Sequence, residues 1–94
     1  MADKTVSVRI SGRVQGVGYR DWTIETAREL GLIGWVRNRK DGSVEALASG
    51  DAAKIDRFID ACRHGPRLAF VSSLKAEPAE LEAGLSDFSQ RPTI

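Results

Sequence analysis

A single cysteine, Cys62, stands in 94 residues. That excludes an intramolecular disulfide, argues against a secreted disulfide scaffold or a multi-cysteine metal site, and fits reducing, cytoplasmic surroundings best. Net charge is nearly absent too. Fourteen Lys+Arg against thirteen Asp+Glu leave +1, so no global field favours a nucleic-acid or membrane partner, and any electrostatic recognition has to be local. No apolar run approaches membrane-spanning length, and Met1–Lys4 lacks the apolar stretch of a secretory signal. The chain is therefore expected to be neither exported nor inserted.

What is present describes an ordinary globular domain. Hydrophobic residues make up 41% and charged residues 29%, without the apolar depletion that marks disorder. The length suits one domain over residues 1–94, burying about 60–65% of the surface its unfolded chain exposes. Little room remains for a second core, so a functional site is expected on a rim.

Val6, Val8 and Ile10 alternate with polar residues, which predicts a first strand over Thr5–Ser11. Tyr19–Leu30 contains no Pro or Gly and carries Asp21 and Glu25 early and Arg28 late, the charge order of a helix that Gly31 would end. Ile33–Asn38 and Ser43–Ser49 flank an Asp-Gly turn signal and predict a hairpin. Asp51 is placed to cap a second helix with Ile55, Phe58, Ile59 and Cys62 on its apolar stripe and Gly65-Pro66 at its end. Ala69–Glu77 reads as a fourth strand, and Leu85–Gln90 is a candidate edge strand. The order βαββαβ implies an α+β, ferredoxin-like sandwich, an antiparallel sheet with two helices on one face. The third strand then lies between the first two. Because the βαβ crossover makes strands one and two parallel, the segment after strand one and Asn38 should meet at one edge of the sheet.

That segment, "GRVQGVGYR" from Gly12 to Arg20, combines three glycines with two arginines and no acid. Gly16 and Gly18 can turn backbone N–H groups inward without a Cβ penalty, forming a nest for an oxyanion. The helix start adds partial positive charge, and Arg20 adds a planar fork of donors. The spacing is neither a Walker motif nor a dinucleotide fingerprint. On residues alone, an anion site and a simple glycine turn both remain open.

"GRVQGVGYR" followed by "GWVRNRKDGSVEALASG" resembles the two signature segments of the acylphosphatase family, small enzymes that hydrolyse the carboxyl–phosphate bond of acyl phosphates. The resemblance runs from Val6 to about Val71 and includes "LGLIGWV" and "GPRLAFV"; "DFSQRPTI" matches only loosely. It implies the same ferredoxin-like fold. It also implies that Arg20 binds the phosphoryl group, that Asn38 orients the attacking water, and that the amides of Gln15, Gly16, Val17, Gly18 and Tyr19 cradle the phosphate. Tyr19 stands where the family often has phenylalanine, and Trp22 occupies a variable aromatic position. The substrate would be a small acyl phosphate, hydrolysed by a monomer with no metal, no cofactor, no nucleic acid and no membrane partner.

Other residues invite plainer readings. Arg13, Arg37, Arg39 and Lys40 are expected to frame the edge with Asp41 as the only nearby acid, steering dianions or, for the last two cations, merely decorating a hairpin tip. His64 reads as a helix-end cation, Cys62 as core, Asp21 as a helix-start acid and Trp22 and Trp35 as packing residues, with Trp35 close enough to Asn38 to brace it. Ferredoxin-like sheets that bind RNA stack bases on aromatics of strands one and three, and "TVSVRIS" and "SVEALAS" have none. A domain that binds a phosphorylated or carboxylated ligand without turnover would have no use for a water-orienting amide beside Arg20.

Overall fold

In the computed structural model, which describes residues 3–94, Val6, Val8 and Ile10 fall on the buried side of strand β1, Asp3–Arg13. Met1 and Ala2, the first residues of the N-terminal stretch read above, lie outside the described residues. Helix α1 spans Tyr19–Glu29 and buries Tyr19, Thr23 and Ala27, spaced one turn apart along a single stripe. Leu30 is its cap rather than its last turn, and Gly31 follows at φ 71°. The Gly31 amide donates to the Arg28 carbonyl and the Leu32 amide to that of Ala27, the paired bonds that close a helix through a left-handed glycine.

Strand β2, Ile33–Asn38, and strand β3, Val44–Asp51, form the expected hairpin. Helix α2, Ala52–His64, starts where the Asp51 carboxylate accepts the Lys54 amide and stops at Gly65. Its Ile55, Phe58 and Cys62 are buried, whereas Ile59 is only partly covered. Strand β4 is Phe70–Pro78 and β5 is Phe88–Gln90.

The sheet order is β4-β1-β3-β2-β5. Strand β3 sits between β1 and β2, pairing Val8 with Ala46 and Val36 with Ala46, so small and branched side chains interlock beneath the helices. The four longer strands pair antiparallel as expected, but β5 lies parallel to β2 and makes the sheet mixed. The cause is the exit point of β4. Pro78 ends opposite Val6, at the end of the sheet where β2 begins, so the returning chain enters β5 running alongside β2. Phe88 anchors this short strand, fully buried with its ring 6.0 Å from that of Phe58. No helix of the described residues is long and apolar enough to cross a membrane.

Candidate active site

The glycine segment begins with a β-bulge. The register of β1 against β4 shifts between Ser11 and Gly12, and a Cβ at Gly12 would lie 2.2 Å from the Phe70 carbonyl oxygen, so only glycine allows the strand to turn here. Val14 then plugs the core, and Gly16 and Gly18 follow at φ 74° and 80° with open space where a Cβ would stand. Their conformation, not crowding, calls for glycine: a side-chain-bearing residue there would cost about 1–2 kcal/mol.

Gly18 is the N-cap of α1, and among the described residues no side chain caps the helix's first amides. The helix start is held from behind instead. Tyr19 is buried, its hydroxyl donates to the Cys62 carbonyl at 2.5 Å, and its ring packs against that of Trp22 in a tilted contact, centroids 5.4 Å apart. Burial drives the Tyr19 pKa far above its ordinary value, so the phenol stays a neutral donor. Gly65 matches this ring from α2, since a Cβ there would come within 2.5 Å of it. The first turn of α1 is thereby nailed to the last turn of α2 while its amides stay unspent.

Val14, Gly16, Gly18, Tyr19, Arg20, Asp21 and Asn38 line one small cleft of about 90 Å³. Ligand pockets for drug-sized molecules run to about 300–1,000 Å³; this one suits a tetrahedral anion and a water. Asn38, the last residue of β2, faces it from across the sheet edge, and its Oδ1 is buried with no hydrogen-bond partner among the described residues. A buried carbonyl oxygen without a partner is uncommon and marks a place where a polar ligand or water completes the pairing. Arg20 makes no ion pair among the described residues, Asp21 included. Its guanidinium is uncommitted.

Of the residues singled out in the sequence, Gly16, Gly18, Tyr19, Arg20 and Asn38 converge on the cleft. Gln15 and Val17 are not among its lining residues: Val17 packs on the core, and Gln15 reaches toward the β2–β3 hairpin. Of the four cations expected to frame the edge, Arg37 and Arg39 are not free, whereas Arg13 and Lys40 make no ion pair among the described residues. Arg37 and Arg39 both bind Glu45, at 2.8 and 3.0 Å, and Arg9 adds a looser contact at 3.8 Å. Burial works to raise the Glu45 pKa, but the hydrogen bonds from the two arginines outweigh it and hold the carboxylate low. Strand alternation explains the difference, because Arg37 projects from the face opposite Val36 and Asn38, where its cross-strand partner is Glu45. The same parity removes Trp35 from Asn38. The guanidinium groups of Arg37 and Arg91 lie over the Trp35 ring, 4.6 and 4.9 Å from its centroid, and Trp35 braces the open face instead.

His64 stands in the last turn of α2 with Nδ1 3.2 Å from the Asp60 carbonyl, away from the cleft. Cys62 is fully buried, and burial pushes its thiol up to about 12, so it stays protonated and unreactive. Among the described residues no group of His, Cys, Asp and Glu is arranged to hold a metal ion.

A family model described as acylphosphatase matches residues 6–90. An acylphosphatase from Rhodospirillum rubrum is 53% identical over 91 residues, which cover 97% of this chain and 99% of that one. Among solved structures, an acylphosphatase from Coxiella burnetii superposes with a TM-score of 0.89 at 37% identity, covering 95% of this chain and 93% of the other. One from Bacillus subtilis gives 0.88 at 33% identity, covering 93% and 97%.

Proposed function

This chain belongs to the acylphosphatase family and is an acyl-phosphate hydrolase, and we propose how its cleft divides the work: the loop and Arg20 hold the phosphoryl group while Asn38 orients the attacking water. The observation that carries this reading is the unpartnered, buried Oδ1 of Asn38 in the same cleft as Arg20.

The amides of Gln15–Tyr19 and the N-terminus of α1 meet the phosphoryl oxygens with preorganised N–H donors, and Arg20 adds a charged fork. Asn38 Oδ1 accepts a hydrogen bond from the water, which turns a water lone pair toward phosphorus. An amide suits this post because a carboxylate would set a second negative charge against the phosphate. Water forms the new P–O bond as the bond from phosphorus to the acyl oxygen breaks in line, and the bonding pair leaves with the carboxylate. The water's proton passes to a phosphoryl oxygen, so a dianionic acyl phosphate and water give a carboxylate anion and monoanionic phosphate. The leaving carboxylate is stable near neutral pH and needs no general acid. Catalysis then consists of positioning and charge matching, with no step that requires a metal or cofactor.

The small cleft suits recognition through the phosphoryl group and tolerance of several acyl chains. The proposal extends to a one-domain monomer in the cytoplasm acting on small acyl phosphates, a setting the single, buried, reduced Cys62 fits. The test is hydrolysis of a model acyl phosphate by wild type, Arg20→Gln and Asn38→Ala, with circular dichroism checking the fold of each. Each variant is expected to lose on the order of 10²–10³ in kcat/KM. Arg20→Gln should also weaken inhibition by inorganic phosphate, whereas Asn38→Ala should not. Wild-type turnover in either variant would overturn the assignment.

A further inference from the structure

The two halves of the proposed machinery stand on different elements, the phosphate loop between β1 and α1 and the water-orienting residue at the start of the β2–β3 turn. Strands β1 and β2 do not touch, since β3 lies between them. The last paired residues of each ladder are Ile10 with Val44 and Asn38 with Val44. Beyond those rungs the sheet no longer fixes the loop relative to the hairpin, although catalysis by positioning needs reacting atoms held to a fraction of an ångström.

One side chain spans that gap. Gln15 donates from Nε2 to the Arg39 carbonyl at 2.7 Å and to the Ser43 carbonyl at 2.9 Å. Both partners are acceptors, so only the NH₂ end of the amide can face them, and both of its hydrogens are used. These are the only hydrogen bonds that join residues 14–18 to residues 39–43 among the described residues. The receiving turn is itself stiff. Arg39 N–H donates to the Ser43 carbonyl and Gly42 N–H to the Arg39 carbonyl, with Gly42 at φ 94°, a type I turn closed by a glycine bulge. Asp41 Oδ1 accepts from both the Ser43 amide and the Ser43 hydroxyl. Each carbonyl that Gln15 reaches therefore already accepts one turn hydrogen bond, and the Arg39 carbonyl lies one peptide beyond Asn38.

We infer that Gln15 is a positioning residue: its side-chain amide ties the phosphate loop to the hairpin turn and so sets the distance and angle between bound phosphate and the water held by Asn38. This rests on the assignment of Arg20 and Asn38 above. The Gln15 side chain points to the hairpin turn, and Gln15 is not among the residues that line the cleft. Its loss should spare phosphate affinity, which belongs to the loop and Arg20, and should lower turnover, which needs both elements in register.

The experiment uses Gln15→Met, which keeps the length without donors, and Gln15→Leu, which removes the donors and shortens the side chain without adding charge beside the anion site; both suit a half-exposed position. Each is made in the wild-type and Asn38→Ala backgrounds, with thermal unfolding to confirm the fold. For both variants we expect kcat to fall about 10–100-fold, with inhibition by inorganic phosphate unchanged. In the Asn38→Ala background the same changes should have almost no further effect, because the water they misplace is no longer held. Unchanged kcat, a parallel loss of phosphate inhibition, or an equal fall in both backgrounds would overturn the tether while leaving Arg20 and Asn38 in place. Wild-type turnover of Asn38→Ala by itself would instead remove the catalytic reading on which the tether depends.

Discussion

The two helices begin in opposite ways. Helix α2 starts from Asp51, whose carboxylate accepts the Lys54 amide at 3.3 Å, whereas α1 starts from Gly18 at φ 80° with no side chain accepting from its first turn. A side-chain cap is worth about 1 kcal/mol to a helix. At α2 that stabilisation is taken and the amide is spent. At α1 it is forgone, and the start is secured through the Tyr19 hydroxyl on the Cys62 carbonyl and the close fit of the Tyr19 ring over Gly65. The difference teaches how a small domain can leave the donors of a helix N-terminus unpaired: the anchoring is moved to the buried side.

The largest effect should come from giving α1 the kind of cap that α2 has. Asparagine and aspartate are the side-chain-bearing residues that best tolerate the left-handed region, and apart from its two chain neighbours no described residue comes within 4 Å of a Cβ built at Gly18. Gly18→Asn should therefore fold and retain reduced activity. Gly18→Asp has the same shape and is a good helix cap, but it places a negative charge where the phosphoryl group should bind. At about 5 Å and an effective dielectric near 20, repulsion between two unit charges is about 3 kcal/mol, so the Asp variant should be on the order of 10²-fold slower in kcat/KM than the Asn variant. Equal rates for the two would mean that the start of α1 is not where the anion sits.

That contrast was only half legible in the sequence. Asp51 announces a capped helix because it precedes an apolar stripe at helical spacing, and Gly31 and Gly65 announce the two helix ends. Gly16 and Gly18 pointed to a nest, and the crossover rule brought the loop and Asn38 to one edge, both local or topological signals. The Tyr19 anchor could not be read, because a hydroxyl's partner on another helix depends on how the helices dock. The same holds for the Gln15 side chain, which was counted only for its amide. Strand β5 has one buried anchor, Phe88, and its direction follows from where β4 ends, a tertiary fact. The Glu45 cluster is different, since it was within reach. An Asp-Gly turn that pairs Asn38 with Val44 must set Arg37 opposite Glu45, and counting along the hairpin would have shown that Arg37 faces away from the cleft.

A smaller effect is expected at the other helix. Asp51→Ala removes the cap of α2 and should cost about 1 kcal/mol, a fall of roughly 4–8 °C in Tm for a domain of this size. Turnover by the folded protein should be unaffected, because Asp51 is at the opposite end of α2 from Cys62 and the following Gly65, which meet Tyr19 behind the cleft. A thermal melt and a rate measurement well below the transition separate the two quantities. A rate loss comparable to that of the Gly18 variants would show that the two helix starts are not functionally distinct.

The finest measure of the contrast is which amides feel phosphate. Titrating inorganic phosphate into the protein and following backbone amide resonances should shift those of Gln15–Tyr19 in a saturable way and leave those of Ala52–Lys54 in place. Both segments open a helix, so both present partial positive charge, and a purely electrostatic attraction to dipoles would move both. What separates them is donor availability together with Arg20. The Lys54 amide already has the Asp51 carboxylate, whose negative charge also repels an approaching anion. In Arg20→Gln the loop shifts should need more phosphate to saturate but keep their direction, since the amides still point at the site, and added salt should weaken binding at the loop through screening. Shifts of similar size at both helix starts would reduce the loop to a nonspecific dipole effect. Shifts confined to Gln15–Tyr19 would tie the unpaired start of α1 to the anion it was left open to receive.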